Sequence, residues 1–410
     1  MDQTRQVKVM AYITAICLLG DSMLYVVLPT HWEEIGLTSL WEVGILLSVN
    51  RLIRLPLGPL IGWIYRKMSI RTGLLIAILL SVITTTSYGL FSTFWLLLIM
   101  RCIWGIAWSL LRLGSYFAIL DASTEQNRGH LMGTFNGLYR LGSLFGMLLG
   151  GIFADFVGME LVAKILGFLA LLALPLLPLV TIQSTGKGSG SEIAAVGSRL
   201  LFLKDRSVLF TFVTSLVVTM LFQGMFISIL SYVIESNNPH INLMGVGIGA
   251  ASLAGILQAI RWGWEPFLAP RFGKLSDGGN KRLILLVASL FITAFLFAMV
   301  PMDISFGLWL LVLMGIQLMA TVLTTVMDAI ALDVAQRTSR VAVMTGFTVI
   351  TDLGAAIGPT LGYFMVSVLG LEITYWVAAG IWLILWGTWH FSGRKILGYL
   401  PYEKGVEQVS

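Results

Sequence analysis

The residues of this chain with chemical potential are charged side chains stranded in apolar sequence. Asp21 stands in Leu18-Leu19-Gly20-Asp21-Ser22-Met23, and Arg51 and Arg54 stand in Asn50-Arg51-Leu52-Ile53-Arg54-Leu55. Arg101 and Arg112 lie eleven positions apart in a third such run, and Arg140, Arg261, Glu265, Asp328 and Asp352 follow in others. A charge at the centre of a bilayer-spanning helix costs at least ~2.5 kcal/mol, which makes each of these a functional candidate. Two kinds of chemistry suit them: a carboxylate that exchanges an arginine for a proton, and a guanidinium fork that receives an oxyanion. Metal and nucleophile chemistry have no support. His31, His130, His240 and His390 are scattered without ligand spacing, Cys17 and Cys102 both fall in apolar runs, and no nucleotide motif is present. The expectation is a protein that is not an enzyme and carries neither metal nor cofactor.

The elements that must hold these groups are membrane helices. With 57% hydrophobic and 11% charged residues over 410 positions, too few polar side chains exist to coat a soluble particle. Windows of ~20 apolar residues, the length that crosses a ~30 Å hydrocarbon core, predict twelve spans: 9–29, 41–64, 73–91, 93–120, 131–157, 161–182, 207–234, 243–269, 281–300, 305–333, 342–369 and 371–392. No cleavage-like small-residue site follows the first span, so it reads as a retained helix. Basic residues fall on alternate loops that share the side of both termini, among them Arg66, Lys67, Arg71, Arg271 and Lys274, while the other side keeps only Lys164. Both termini are therefore expected in the cytoplasm of a cell (inner or plasma) membrane protein. The pI of 9.2 then reflects topology and not nucleic-acid binding.

The segment Asp121–Gly150 recurs as Asp333–Gly362, displaced by 212 positions without a gap and with nine identities in thirty pairs. Internal duplication on this scale defines the architecture. Its glycines, Gly142, Gly146 and Gly150 against Gly354, Gly358 and Gly362, make a smooth stripe for close helix packing. One pair reverses sign: Arg140 aligns with Asp352. Between the copies lies a stretch rich in glycine, serine and charge, which reads as a flexible linker over 183–206. It divides a six-helix bundle over 1–182 from a second over 207–410. The fold class is thus all-α: twelve transmembrane helices in two pseudo-symmetric six-helix bundles, the architecture of a transporter with its site near midplane.

With these features the chain resembles the major facilitator superfamily over its whole length, in particular the twelve-helix drug/proton antiporter group. The loop signature G-x-L-x-D-R-x-G-R-R is reduced to Gly62-Trp63-Ile64-Tyr65-Arg66-Lys67, with Tyr65 in place of the aspartate, and is better kept as Gly273-Lys274-Leu275-Ser276-Asp277 with Lys281 and Arg282. Arg101 and Gly105 match the fourth-helix signature R-x-x-x-G, which implies proton coupling. Gly142, Gly146, Gly150 and Gly151 resemble the antiporter motif G-x-x-x-G-P-x-x-G-G, except that Met147 replaces its proline, which instead stands in the other copy as Pro359.

Asp21 is read as the coupling carboxylate, with Arg101 its nearest basic group by depth; the competing reading is a purely structural pair. Arg112, Tyr25, Trp108, Tyr116, Gln223, Gln258, Gln317 and Asp328 are candidate substrate contacts. For the glutamines, interhelical hydrogen bonding is an equally good account. The resemblance sets the fifth helix against the eighth and the second against the eleventh, which implies two gate pairs toward the cytoplasmic end, Arg140 with Glu265 and Asp352 with Arg54. The alternative is that Arg140 and Arg112 both face the cavity and bind an anion. Six intramembrane arginines against four acids tilt the cavity toward anionic or zwitterionic cargo. The expected function is proton-coupled efflux of a small organic or amphiphilic compound by an alternating-access monomer, its partners being that compound, protons and the lipid bilayer. An organic-anion symporter or exchanger working in uptake is the second reading, and a non-transporting membrane sensor the third.

Overall fold

A computed structural model of the chain describes residues 3–65, 67–122, 128–181, 205–237, 241–243, 246–276, 279–337 and 340–396. The linker expected over 183–206 lies almost wholly outside them, as do Arg66, His240 and Asp277.

The segments follow the predicted spans closely. They are α1 (Gln3–Val27), α2 (Leu40–Leu52), α3 (Arg54–Tyr65), α4 (Ile70–Ser87), α5 (Phe94–Ala122), α6 (Arg128–Val157) and α7 (Met159–Leu169), the last continuing as a 3₁₀ stretch over Ala170–Leu179. In the second half come α8 (Arg206–Thr219), a π turn over Met220–Phe226, α9 (Ile227–Asn237), α10 (Ala250–Leu275), α11 (Gly279–Met299), α12 (Phe306–Arg337), α13 (Arg340–Leu369) and α14 (Leu371–Ile396). The strands β1 (Ile241–Leu243) and β2 (Val246–Ile248) form a small antiparallel hairpin before α10. Ten helical stretches among the described residues are long and apolar enough to cross a membrane. The other two predicted spans are helical as well, but one is interrupted and the other carries Arg261 and Glu265.

Local chemistry accounts for the departures from regular helix. The second span is interrupted at Ile53 because Pro56 has no N–H for the Leu52 carbonyl, although Ile53 keeps right-handed helical angles and its N–H reaches the Val49 carbonyl at 2.9 Å. Pro175 and Pro178 similarly tighten the end of the sixth span into 3₁₀ geometry. The repeat also extends beyond the thirty pairs. Gly158 and Gly370, again 212 apart, take φ values of 82° and 81° at the turns into α7 and α14, a left-handed conformation that favours glycine.

The chain folds as two compact units whose composition cuts across the two halves. The first comprises residues 1–198, 219–266 and 351–371; the second comprises 199–218, 267–350 and 372–410. In the first unit α1 packs along α6, where the repeat's glycines permit backbone-to-backbone approach. A Cβ added at Gly142 or Gly146 would run into the Ala15 or Leu19 carbonyl, and one at Gly150 would meet Met23. The second copy repeats the arrangement within the same unit: Gly358 abuts Met220 and Gly224 of the π turn, and Gly362 abuts Met225. Tyr65, standing where the loop signature has an acid, is fully buried and donates its hydroxyl to the Leu110 carbonyl at 2.7 Å. Gly73 and Gly114 leave the room its ring occupies.

Segments of the second half close against the first half inside this unit. Thr360 donates to the Gly44 carbonyl at 3.2 Å, Asp155 accepts from the Ser252 N–H at 2.7 Å, and Gly255 sits on the Met147 carbonyl. In the second unit Trp389 donates to Thr214 at 2.8 Å, Phe297 packs between Tyr375 and Trp382, and Arg282 pairs with Asp333.

The glycine stripe makes a direct prediction. Gly146→Ala forces α1 from α6 and should lower the melting temperature of the purified protein, by an overpacking cost of ~1–3 kcal/mol. Gly133→Ala, on the same helix with open space around it, should be neutral or slightly stabilising. Equal melting temperatures for the two variants would contradict the packing role.

Candidate functional site

The centre of the first unit is an ion pair. Asp21 lies six residues before the end of α1, and Arg101 seven residues after the start of the antiparallel α5, so the two stand at the same depth, ~10 Å from the end of the bundle opposite the termini. Arg101 is 1% exposed and Asp21 6% exposed, and the guanidinium donates to the Asp21 carboxylate. Arg101 Nε also donates to the Leu46 carbonyl at 2.8 Å, and Asn50 Nδ2 donates to Asp21 Oδ1 at 3.3 Å. The helix break beside Asn50 nests against α5 at Gly105, where a Cβ would strike Ile53 and the Asn50 carbonyl. Gly105 of the R-x-x-x-G signature therefore lets the second span approach closely enough for Asn50 to reach Asp21.

Asp21 opens on a cavity of about 200 Å³. Its polar wall is Asp21, Ser22, Tyr25, Arg51, Arg54, Tyr139, Arg140, Ser143 and Gln223; its apolar wall is Leu18, Trp108, Met147, Ile227 and Trp262. Of the residues predicted from sequence, Asp21, Tyr25, Arg54, Trp108, Arg140 and Gln223 converge here. Arg51 joins them, donating to the Tyr25 hydroxyl and to the Ala355 carbonyl, each at 3.2 Å. Arg54 lies over the Trp108 ring at 5.1 Å.

The two expected gate pairs fare differently. Arg140 bonds Glu265 at 3.1 Å. Asp352 does not pair with Arg54: it stands 3.7 Å from Arg112, whose Nε donates to Tyr116 at 3.1 Å. Arg54 lies on the Trp108 ring instead, and Arg112 is the guanidinium nearest Asp352. The pairs also lie deeper than an end gate would, since Arg140 and Asp352 each stand twelve residues, ~18 Å, into a thirty-residue helix. The reading in which Arg112 and Arg140 both bind an anion does not fit either, because each already has a carboxylate.

Gln258 is fully buried on α10 with neither amide atom hydrogen-bonded, and it does not line the cavity. Arg112 and Tyr116 also stand outside the lining. Gln317, fully buried, and Asp328, exposed, belong to the second unit. Sequence reasoning missed Asn50, Tyr139, Ser143 and Trp262. The last lies under both Arg140 and Arg261, at 5.5 and 5.4 Å. An asparagine one position before Arg51 in an apolar span was the available signal for the first.

The Major Facilitator Superfamily profile matches residues 10–265, more than half of the chain. The chain belongs to the major facilitator superfamily. It is 25% identical over 373 residues to the multidrug resistance protein MdtG of Salmonella arizonae, covering 88% of each chain. It is 24% identical over 378 residues to MdtG of Proteus mirabilis, covering 88% of this chain and 89% of the relative. Among solved structures, a nucleoside transporter, NupG, superposes with a TM-score of 0.77 at 15% identity over 95% of this chain and 99% of that one. A bacterial homologue of the human lysosomal transporter Spinster, inward-facing and unoccupied, gives 0.72 at 15% identity over 97% and 98%. These two superpositions carry the superfamily fold.

The buried pair should behave as a unit. Arg101→Leu leaves a desolvated carboxylate and should destabilise by ~3–5 kcal/mol, whereas adding Asp21→Asn to it should restore most of the loss. A thermal-unfolding double-mutant cycle measures this; additive losses would show that the two groups are not coupled.

Proposed function

We propose that this superfamily member is a proton-coupled exporter of a small organic or amphiphilic compound, working by alternating access as a monomer in the cell membrane with both termini cytoplasmic. The observation that carries the reading is the Asp21–Arg101 pair in the cavity wall. A carboxylate that opens on a cavity and is held by one guanidinium has two interchangeable occupants, the guanidinium and a proton. Displacing Arg101 lets a proton take its place, and cargo in the cavity favours one occupant over the other. That is the competition an antiporter needs. The multidrug-resistance names of the relatives support the direction of transport.

Arg140–Glu265 and Arg112–Asp352 serve in this reading as ties that part and re-form as access changes. In both, the first half supplies the arginine and the second half the acid. Both pairs are partly exposed, so each tie is worth little and parts readily as access changes.

The test uses proteoliposomes and a panel of amphiphilic fluorescent dyes. Wild-type protein should accumulate at least one dye against its gradient under an imposed pH difference. Asp21→Asn should abolish that pH-driven flux while retaining dye-for-dye exchange. Unchanged pH-driven flux in Asp21→Asn would remove Asp21 from the mechanism.

A further inference from the structure

We propose that Arg51 and Arg54 form the anion-recognition element of this cavity, and that the cargo is an organic anion: a carboxylate, phosphonate or sulfonate group on a compact apolar or aromatic body. The inference rests on the transport reading above and supplies the substrate class that it leaves open.

Some of the charges at the cavity wall are already matched. Of the arginines in the cavity wall, Arg140 has Glu265. Asp21, the acid in that wall, has Arg101 behind it and Asn50 beside it. Arg51 and Arg54 remain, and neither has a carboxylate within ion-pair distance among the described residues. The partners of Arg51 are a phenol and a backbone carbonyl, both neutral. Arg54 Nε is buried without an acceptor. Two positive charges thus face one cavity without an ion-pair partner of their own among the described residues; the nearby Asp21 and Asp352 are held by Arg101 and Arg112, so an entering anion offsets part of the arginines' desolvation cost.

The geometry is built and not incidental. Positions 51 and 54 are three apart, ~60° around a helix, so both side chains fall on one face. Both guanidiniums line the same cavity. Gly105 holds the interruption at Ile53 against α5. Each guanidinium lies against an aromatic face, Arg51 on Tyr25 at 5.4 Å and Arg54 on Trp108 at 5.1 Å. Such stacking fixes orientation and leaves the charge in place, with N–H groups free for an oxyanion. Opposite them, Met147, Ile227 and Trp262 offer an apolar wall for the rest of the molecule.

The experiment compares three probes of nearly one shape on the full-length protein in detergent: 2-naphthoate, 2-naphthamide and 2-naphthylmethylammonium. Calorimetric titration of wild type should give the carboxylate an affinity about tenfold or more above the amide, with the ammonium weakest. In Arg54→Gln and in Arg51→Gln the carboxylate-to-amide ratio should fall several-fold, and in the double variant to within about twofold. Arg54→Lys, which keeps the charge without the fork, should retain part of the preference and guards against a variant that merely folds poorly. Equal or tighter binding of the amide or ammonium to wild type, an undiminished preference in the double variant, or no binding of any probe would each overturn the proposal. The dye fluxes of Asp21→Asn are read separately. Proton-driven transport of cationic or neutral dyes alone would sink the anion assignment and leave the exporter standing, whereas carboxylate binding without pH-driven flux would do the reverse.

Discussion

The structure depends on one constraint: a carboxyl group kept inside a membrane-spanning bundle must be given a partner by another helix. Asp21 sits where water cannot reach it freely, and Arg101 answers it from α5. Much of the first unit follows from making that answer possible. Helices α1 and α5 run antiparallel with their charges at matching depth. The glycine stripe of α6 brings α1 in, and Gly105 brings the broken second span close enough for Asn50 to bind the carboxylate and for the Leu46 carbonyl to hold Arg101. A buried pair of this kind adds little net stability over an apolar pair of the same volume.

The duplicated element sharpens the same point. Its glycines perform the same task in both copies, against α1 in the first and against the π turn that follows α8 in the second. Gly158 and Gly370 keep the same left-handed turn 212 residues apart. The copies differ in charge. Arg140 reaches Glu265 and Asp352 reaches Arg112, so the shared packing scaffold supplies the arginine of one tie and the acid of the other. Packing was duplicated and electrostatics diverged, as expected if the scaffold supports the bundle while the charges serve a directional cycle.

Most of the fold was legible from the sequence because a bilayer imposes a coarse and strict rule: about twenty apolar residues per crossing, with basic loops on one side. Irregularities were less legible, although Pro56 and Pro175 announce theirs. At the site, Asp21 and Arg101 could be paired from depth alone, since both positions count from helix ends. Asp352 could not be assigned its partner that way. Arg54 and Arg112 are both within reach of α13 by helix count, and only the stacking of Arg54 on Trp108, which helix count does not show, decides between them. Trp262 escaped notice because an aromatic residue in an apolar span is ordinarily packing, and nothing in its spacing shows that two guanidiniums lie against it. Tyr65 is the converse: its departure from the loop signature looks like a lost function, and the fold uses it as a buried strut on the Leu110 carbonyl.

The central claim is that cargo and proton compete through one carboxylate, and the most direct measurement is the proton count on binding. Purified wild-type protein in weakly buffered solution, given a saturating dose of a transported compound, should exchange protons with the medium on binding, read with a pH-indicator dye, and Asp21→Asn should bind the compound with no such exchange. Binding without any proton exchange in the wild type, or equal exchange in the variant, would contradict the account.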